Sequence, residues 1–312
     1  MEWQTKVKTE SLQDRFTYAT RFLFAGSCFA TEVAERMRQL HFMVAPDAFG
    51  PLFNPASIVS SLERLESRTP FVPADVMHFP YGAFGSLSHH TSFSRGDEAG
   101  FLTYANEQLK IASDCFEKAE VIIITLGTAW AYTFQEKVVA NCHKMPAHLF
   151  KRIFMEPGQI TALMTPIIRR HRNKKWIMTV SPIRHWGDGA HGNQLSKSSL
   201  LLAIEHLQRT FDDIVYFPSY EIVLDELRDY RYYADDCFHL APHTIDYILE
   251  RFFDTVLDQE TKDLAGQMKK LNTSYHHKPL FPLSEEYAFF RKKLDKQMSE
   301  LLQTIGNKRK LY

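Results

Sequence analysis

The sequence predicts an α/β protein in which helices cover both faces of a parallel β-sheet, so that the fold has three layers, α/β/α. Short apolar runs with the length of buried strands alternate along the chain with longer segments whose apolar residues recur at helical spacing. The clearest run, residues 121–126, is apolar almost throughout, as a central strand covered on both faces must be. Together these two observations indicate a parallel sheet with crossover helices.

Other short apolar runs complete a sheet of about five strands. These runs lie at residues 21–25, 42–44, 176–180 and 213–217. The segment that follows Cys28 carries an apolar stripe at helical spacing and is predicted as the first helix. Similar stripes predict helices around residues 200–207 and 245–256.

The chain is expected to form one α/β domain, residues 1–258, followed by a helical extension, residues 259–312, that packs on the core. No long linker divides the predicted core. The last helix should begin after Ser284, a suitable N-cap residue, and end at Gly306. Residues 308–310 are expected to form a solvated basic tail.

Charge and composition exclude several classes of protein. The 37 basic residues balance the 37 acidic ones, whereas a protein that follows nucleic-acid phosphates usually carries a basic excess. No apolar run approaches the roughly 20 residues needed to span a bilayer, and residues 1–6 lack the apolar core of a secretory signal. The 4 cysteines are scattered and should be reduced thiols, so we expect a cytoplasmic protein.

The first strand leads directly into Gly26-Ser27-Cys28 at the start of a predicted helix. In an open parallel sheet, ligands bind outside the carboxyl ends of the strands. A nucleophile at a helix N-terminus has free backbone N–H groups beside it, which stabilise a thiolate or an oxyanion. Either Ser27 or Cys28 could be the attacking group.

A base for this nucleophile is predicted in the segment 235–239, just before a later helix. Asp236 precedes His239 by three residues, a spacing at which the carboxylate can reach back to the imidazole. Such a pair holds the ring in one tautomer and stabilises the imidazolium. Arg184, which follows another strand, could contact an anionic or acyl substrate.

Several blocks of the sequence resemble those of known families. The string Gly26-Ser27-Cys28-Phe29-Ala30 is the one that names the GSCFA-domain family, and residues 125–130, 179–185 and 220–230 also resemble that family. Residues 23–31 and the pair Asp236-x-x-His239 are similar to the first and last blocks of SGNH/GDSL hydrolases. The resemblance covers roughly residues 20 to 255 and implies an SGNH-hydrolase-like, flavodoxin-like sheet with an acyl-ester site.

The resemblance also bears on the choice of nucleophile. When glycine is matched to glycine, Cys28 takes the place of the nucleophilic serine of SGNH hydrolases, and we favour it over Ser27. The superfamily's Gly-x-Asn block, whose amide helps to bind the oxyanion, is similar in position to Gly127-Thr128 but lacks that amide here. Asn54 or the backbone N–H of Gly50 could substitute for it.

The expected catalytic set is therefore Cys28 or Ser27, with His239 and Asp236. Substrate or oxyanion contacts are expected from Gly26, Gly50, Asn54, Gly127, Thr128 and Arg184. We expect neither a metal nor a cofactor, although a metal-dependent hydrolase built on His89, His90 or His143 is an alternative.

The expected function is an SGNH-type esterase that cleaves a small-molecule or carbohydrate acyl ester through a covalent acyl-enzyme. The first alternative is an acyltransferase, for example an acetyltransferase, that uses the cysteine nucleophile. The second is a ligand-binding module without catalytic activity on the same scaffold, because the Gly-x-Asn amide is missing and a fold does not imply a function. The oligomeric state does not follow from the sequence.

Overall fold

A computed structural model describes residues 4–310, so that the outermost residues of the two predicted regions, 1–3 and 311–312, lie outside the described part. The strands, in chain order, are β1 (Arg21–Gly26), β2 (Met43–Val44), β3 (Met77–His78), β4 (Phe84–Gly85), β5 (Val121–Leu126), β6 (Trp130–Phe134), β7 (Lys137–Val139), β8 (Lys151–Phe154), β9 (Lys175–Val180) and β10 (Ile214–Tyr216). The helices are α1 (Cys28–Gln39), α2 (Pro55–Ser67), α3 (Glu98–Lys118), α4 (Pro157–Arg170), α5 (Gly189–Thr210), α6 (Ser219–Glu221, continued by a π-helical turn, Ile222–Leu227), α7 (Pro242–Val256), α8 (Gln259–His276) and α9 (Glu285–Lys310).

Five parallel strands form the central sheet in the order β10-β9-β5-β1-β2. All five correspond to strands predicted from apolar runs. Counted within this sheet alone, the order is 2-1-3-4-5, which is the flavodoxin-like arrangement. The chain moves outward from β1 to β2 and then returns to the other side of β1 at β5. The switch point between β1 and β5 is where sheets of this kind bind ligands.

Helices cover both faces of the sheet, which confirms the predicted three-layer α/β/α fold. Successive residues of β5 point alternately to the two faces of the sheet. On one face, Ile122 and Ile124 pack with α2, α3, α4 and α5. Val121 and Ile123 point to the other face and pack with α1, α7, α8 and α9. Since β5 is buried at every position, it must be apolar on both faces.

The helices α8 and α9 pack on the core face that α1 and α7 form. Their buried residues there include Met268 of α8 and Ile305 of α9. Ser284 caps α9 as predicted, because its Oγ accepts a hydrogen bond from the backbone N–H of Tyr287 at 3.1 Å. Within residues 4–310, no helix is both long enough and apolar enough to cross a bilayer.

The predicted end of the last helix at Gly306 is wrong, as is the predicted solvated tail. The helix α9 continues to Lys310. Lys308 binds Glu260 at 2.6 Å, and the guanidinium of Arg309 donates to the carbonyl oxygen of His41. These contacts hold the last turn on the core, and the helical backbone tolerates a glycine there at a modest cost.

Two small antiparallel sheets were not predicted. One pairs β3 with β4, and the other has the order β7-β6-β8 and lies between β5 and α4 in the chain. Their strands are short and partly exposed, so they lack the apolar runs that identify the central strands. The larger one reaches the candidate site, because Arg152 of β8 forms an ion pair with Asp188 in the segment after β9.

Candidate functional site

The junction between β1 and α1 depends on Gly26. Its φ of +140° lies in a region that side chains rarely adopt. A Cβ atom at this position would lie 2.2 Å from the carbonyl oxygen of Thr125 on the neighbouring strand β5. The next residue, Ser27, is extended, and its N–H donates to the same oxygen at 3.1 Å. The glycine therefore lets the chain turn from strand to helix directly against β5.

Cys28 is the first residue of α1 and is half-buried. Burial raises the pKa of its thiol, which outweighs the lowering effects of the Phe29 and Cys28 backbone N–H groups and of Lys197. The predicted stabilisation of a thiolate by the helix start is thus present but smaller than the desolvation cost. Cys28 rests as a neutral thiol, and an attack by its sulfur needs a group that takes the proton.

Ser27, the other candidate nucleophile, is only 2% exposed. Its Oγ makes no hydrogen bond within the described residues and does not cap α1. A hydroxyl that is closed off from solvent and has no base beside it cannot readily meet a substrate. The junction therefore presents Cys28, and not Ser27, to the outside.

The amides expected to bind an oxyanion are mostly engaged elsewhere. The N–H groups of Gly127 and Thr128 both donate to the carbonyl oxygen of Phe53 at 2.9 Å. The N–H of Gly50 donates to Oδ1 of Asp47 at 2.8 Å. These three amides hold the loop before α2 in place and are not free for a ligand in this conformation.

Asn54, the other expected substitute, serves as the N-cap of α2. Its Oδ1 accepts from the N–H of Ser57 at 2.8 Å, and its Nδ2 donates to the Ser57 hydroxyl at 3.0 Å. By contrast, the backbone N–H groups of Cys28 and Phe29 belong to the first turn of α1, where helix geometry provides no carbonyl acceptor. These two amides are the best placed to stabilise an oxyanion.

A polar face of α5 supports the strand ends and was missed in the sequence. Asn193 Oδ1 accepts from the N–H of His185 at 3.0 Å, and Ser196 Oγ accepts from the N–H of Ala129 at 2.8 Å. Lys197 Nζ, also on this face, donates to two carbonyl oxygens. The helical spacing could have revealed this face. These three residues continue, toward the N-terminus, the same helical stripe that predicted the buried face of α5.

The electrostatics of this face favour neutral groups. Burial lowers the pKa of Lys197 to about 7, against a smaller raising effect of Cys28. Burial, followed by the charge of Lys197, lowers the pKa of His185 to about 4. The His185 ring lies edge-on to Phe53 at 5.9 Å. A neutral imidazole therefore stands beside the lysine at neutral pH.

Asp236 and His239 form a paired unit on the loop before α7. His239 Nδ1 and Asp236 Oδ2 lie 2.5 Å apart, and Asp236 Oδ1 accepts from the N–H groups of Phe238 and His239. The hydrogen bond to His239, followed by these backbone bonds, lowers the pKa of Asp236 to about 2. The imidazole is well exposed, at 59% of its side chain, so its Nε2 is open to a ligand.

Arg184 connects this loop to the segment after β9. Its Nη2 donates to the carbonyl oxygen of Cys237, a residue held at a positive φ of 60°. The guanidinium also lies 5.0 to 5.6 Å from the centres of four aromatic rings, those of Trp186, Tyr230, Tyr233 and Phe238. Arg184, expected to contact substrate, thus holds the Asp236–His239 loop against the strand-end segment.

The structure brings the candidate residues to one region of the sheet without joining all of them directly. His239 makes no hydrogen bond with Ser27 or with Cys28 within residues 4–310. The charge of His239 does act on His185, and that of Lys197 acts on both His185 and Cys28. His185 and Lys197 therefore interact electrostatically with the groups on both sides of the candidate site, the exposed imidazole and the thiol.

The histidines considered for a metal site have structural partners. His143 Nδ1 binds the Tyr81 hydroxyl at 2.7 Å, and its Nε2 lies within hydrogen-bond distance of the carbonyl oxygens of Ser86 and His89. His89 Nδ1 binds the Ser86 hydroxyl at 2.7 Å. Among residues 4–310, no three His, Cys, Asp or Glu side chains are grouped to hold a metal ion. These contacts hold together the loop that precedes α3.

His89 makes the stability of the fold sensitive to acid. Burial lowers its pKa from 6.5 to about 3, so the folded state resists protonation that the unfolded chain accepts. The contribution of His89 to stability should be constant above pH 6.5 and fall as the pH drops toward 3, at about 1.4 kcal/mol per pH unit. Urea unfolding at several pH values measures the slope for the whole protein, to which the lowered pKa of His185 also contributes. His89→Phe, which suits a pocket lined by phenylalanines, should reduce that slope by about 1.4 kcal/mol per pH unit, whereas an unchanged slope would exclude His89 as its source.

Comparison with known proteins identifies the family of the chain. The GSCFA family model matches residues 21–252, which include every candidate residue of the site. Since this match covers most of the sequence, the chain belongs to the GSCFA family. None of the curated proteins matches the sequence.

Proposed function

We propose that this member of the GSCFA family is an SGNH-type acyl hydrolase that cleaves a small-molecule or carbohydrate ester through a covalent acyl-enzyme on Cys28. One observation carries the proposal. A partly accessible thiol starts a helix at the switch point of a flavodoxin-like sheet, with the backbone N–H groups of the first helical turn beside it. The paired Asp236 and His239 on a neighbouring loop supply an oriented acid–base group.

The proposed reaction proceeds in two halves. The sulfur of Cys28 attacks the ester carbonyl carbon, and the carbonyl electron pair moves to oxygen, where the N–H groups of Cys28 and Phe29 stabilise it. Collapse of this intermediate breaks the bond to the alkoxide, which takes a proton from the imidazolium form of His239. Water then gives a proton to the neutral His239 and attacks the thioester. The acid leaves, and the Cys28 thiolate takes back the proton that it lost before the attack.

Asp236 keeps His239 in the tautomer that this cycle requires. Its carboxylate accepts from Nδ1, so that Nε2 is the nitrogen that exchanges protons with the leaving group and the water. Removal of the thiol proton is a separate step, because in the described part of the chain His239 makes no hydrogen bond with Cys28.

An acyltransferase is the second candidate, and the identity of the nucleophile favours it. A thioester on Cys28 reacts with an acceptor hydroxyl or amine by the same route as with water. Adding alcohols to the assay would reveal it as a faster release of the first product together with a new ester.

All 4 cysteines are unpaired thiols, which fits a reducing compartment such as the cytoplasm.

The third candidate, a ligand-binding module without catalysis, is favoured by the engaged amides of Gly50, Gly127 and Thr128. It predicts that purified protein releases no p-nitrophenol from p-nitrophenyl acetate above the rate of the buffer. The hydrolase proposal predicts release that saturates with substrate concentration.

Removing the acid–base group should slow this reaction. His239→Ala is expected to lower kcat by about 10² to 10⁴-fold, because the leaving group and the water both lose their proton partner. Asp236→Asn should cause a loss of similar kind by permitting the wrong tautomer. The matched control is His277→Ala, which removes an exposed histidine in the linker before α9 and should leave kcat unchanged. Full activity in His239→Ala would remove this residue from the mechanism.

A further inference from the structure

Lys197 places a fully buried amine at the strand ends. Its Nζ donates to the carbonyl oxygens of Gly127 and Ser181, each at 2.7 Å. These residues follow β5 and β9 directly, so the amine lies at the carboxyl edge of the sheet. Within the described residues Lys197 forms no ion pair, and an unpaired buried ammonium is costly.

The hydrogen bonds of this amine fit its neutral form. A neutral amine has two N–H donors and one lone pair. The two carbonyl oxygens use both donors, which leaves the lone pair free to accept a proton. Once protonated, the nitrogen gains a third N–H that no backbone acceptor uses, and this donor is available to an anion.

The strand register identifies that anion as the Cys28 sulfur. Gly26 pairs with Thr125 on the neighbouring strand, so Cys28 and Gly127, whose carbonyl oxygen accepts from Nζ, each lie two residues past this pair. The charged form of Cys28 stabilises the ammonium of Lys197, and the ammonium in turn stabilises the thiolate. His185 is disfavoured as a cation by Lys197, and the Tyr220 ring lies 5.8 Å from Nζ. The carboxylate of Glu32, one turn along α1, opposes ionisation of the thiol.

We propose that Lys197 is the proton acceptor for Cys28. The S–H bond breaks with its electron pair left on sulfur, and a new N–H bond forms on the Nζ lone pair. A neutral pair thereby becomes a thiolate and an ammonium ion, and the net charge stays the same. Burial disfavours each ion alone, whereas the two together gain mutual attraction. The proposal rests on the proposed function, because it supplies the nucleophile for acyl transfer.

The rate of Cys28 alkylation by iodoacetamide, followed across pH by peptide mass spectrometry, tests this step. Peptide resolution is needed because Cys115, Cys142 and Cys237 are also free thiols. In the unmodified protein the rate should rise across neutral pH as Lys197 loses its proton. In Lys197→Met it should rise only at alkaline pH, and at about pH 7.5 it should be at least about tenfold lower.

Lys174 offers a matched control at the opposite end of the sheet. Its buried Nζ also donates to two backbone carbonyl oxygens, those of Glu117 and Ala119, at 2.9 and 2.7 Å. Lys174→Met thus loses the same kinds of bond as Lys197→Met. A purely structural role for Lys197 predicts similar effects of both variants, whereas a proton acceptor predicts that Lys174→Met leaves Cys28 alkylation unchanged.

Two results would overturn the proposal. One is alkylation of Cys28 in the unmodified protein only at alkaline pH; the other is the same pH profile in Lys197→Met. If Lys197→Met does not fold, Lys197→Gln replaces it in the same alkylation experiment, because its amide can still donate to a backbone carbonyl oxygen but cannot accept the thiol proton. An unchanged pH profile in Lys197→Gln would also overturn the proposal. Lost esterase activity with the expected alkylation profile would refute the hydrolase alone.

Discussion

Replacing Cys28 with alanine is expected to lower kcat/KM for ester hydrolysis by about 10³-fold or more, because no other group at the junction can form the acyl-enzyme. The thiol starts α1, is partly accessible, and lies beside the two backbone N–H groups of Cys28 and Phe29 in the first helical turn. The fold should be retained, since alanine is a good helix former and leaves no charge unpaired. Steady-state kinetics with p-nitrophenyl acetate and a circular dichroism melt measure the two effects.

Ser27→Ala is the control for this loss, since it changes the neighbouring residue. Ser27 Oγ is buried and has no partner in the described residues, so its removal relieves an unsatisfied polar atom. Activity should stay within about twofold of the unmodified protein, and stability should be equal or slightly higher. A large loss of activity in Ser27→Ala with full activity in Cys28→Ala would reverse the choice of nucleophile.

Gly26→Ala is expected to lower the free energy of unfolding by more than about 3 kcal/mol. The new Cβ would lie 2.2 Å from the backbone oxygen of Thr125, and the φ of +140° is unfavourable for alanine. Backbone on β5 cannot yield as a flexible side chain would, so β1 and β5 must separate at the site. Urea unfolding measures the loss, and hydrolysis should fall with it.

Gly266→Ala provides the matched comparison in the helix α8. A Cβ atom there meets nothing within 4 Å, and the residue lies in a helix. The same substitution should therefore stabilise the protein by about 0.5 to 1 kcal/mol through helix propensity. Equal effects of the two variants would show that the close approach of β1 to β5 at Gly26 is not as tight as described.

The fold was predictable because its determinants are local. Each central strand is an apolar run, and the run 121–126 is apolar on both faces since both faces are covered. The small sheet of β6, β7 and β8 was not predicted, because its strands are short and partly exposed. Their apolar and polar residues therefore alternate only weakly. The helix α9 continues past Gly306 because Lys308 and Arg309 contact residues far away in the sequence. A local sequence pattern cannot predict such contacts.

The site was predictable only in part. The Asp236–His239 pair follows from a spacing of three residues, which a loop can close locally. The partners of single amides do not follow from spacing, so Gly50 was expected to be free although it binds Asp47. Lys197 was missed because a lysine on an apolar stripe is ordinarily taken as solvated, whereas here two carbonyl oxygens at strand ends receive its donors.

The most direct measurement is the mass of the peptide that contains Ser27 and Cys28, taken after acid quenching of His239→Ala during turnover of p-nitrophenyl acetate. The p-nitrophenolate leaves without a proton from His239, whereas the attacking water still needs this base, so deacylation is slow and the intermediate should accumulate. One acetyl group is expected on Cys28, as a thioester that neutral hydroxylamine removes. Turnover with the acetyl group on Ser27, or with no acetyl group on either residue, would contradict this expectation.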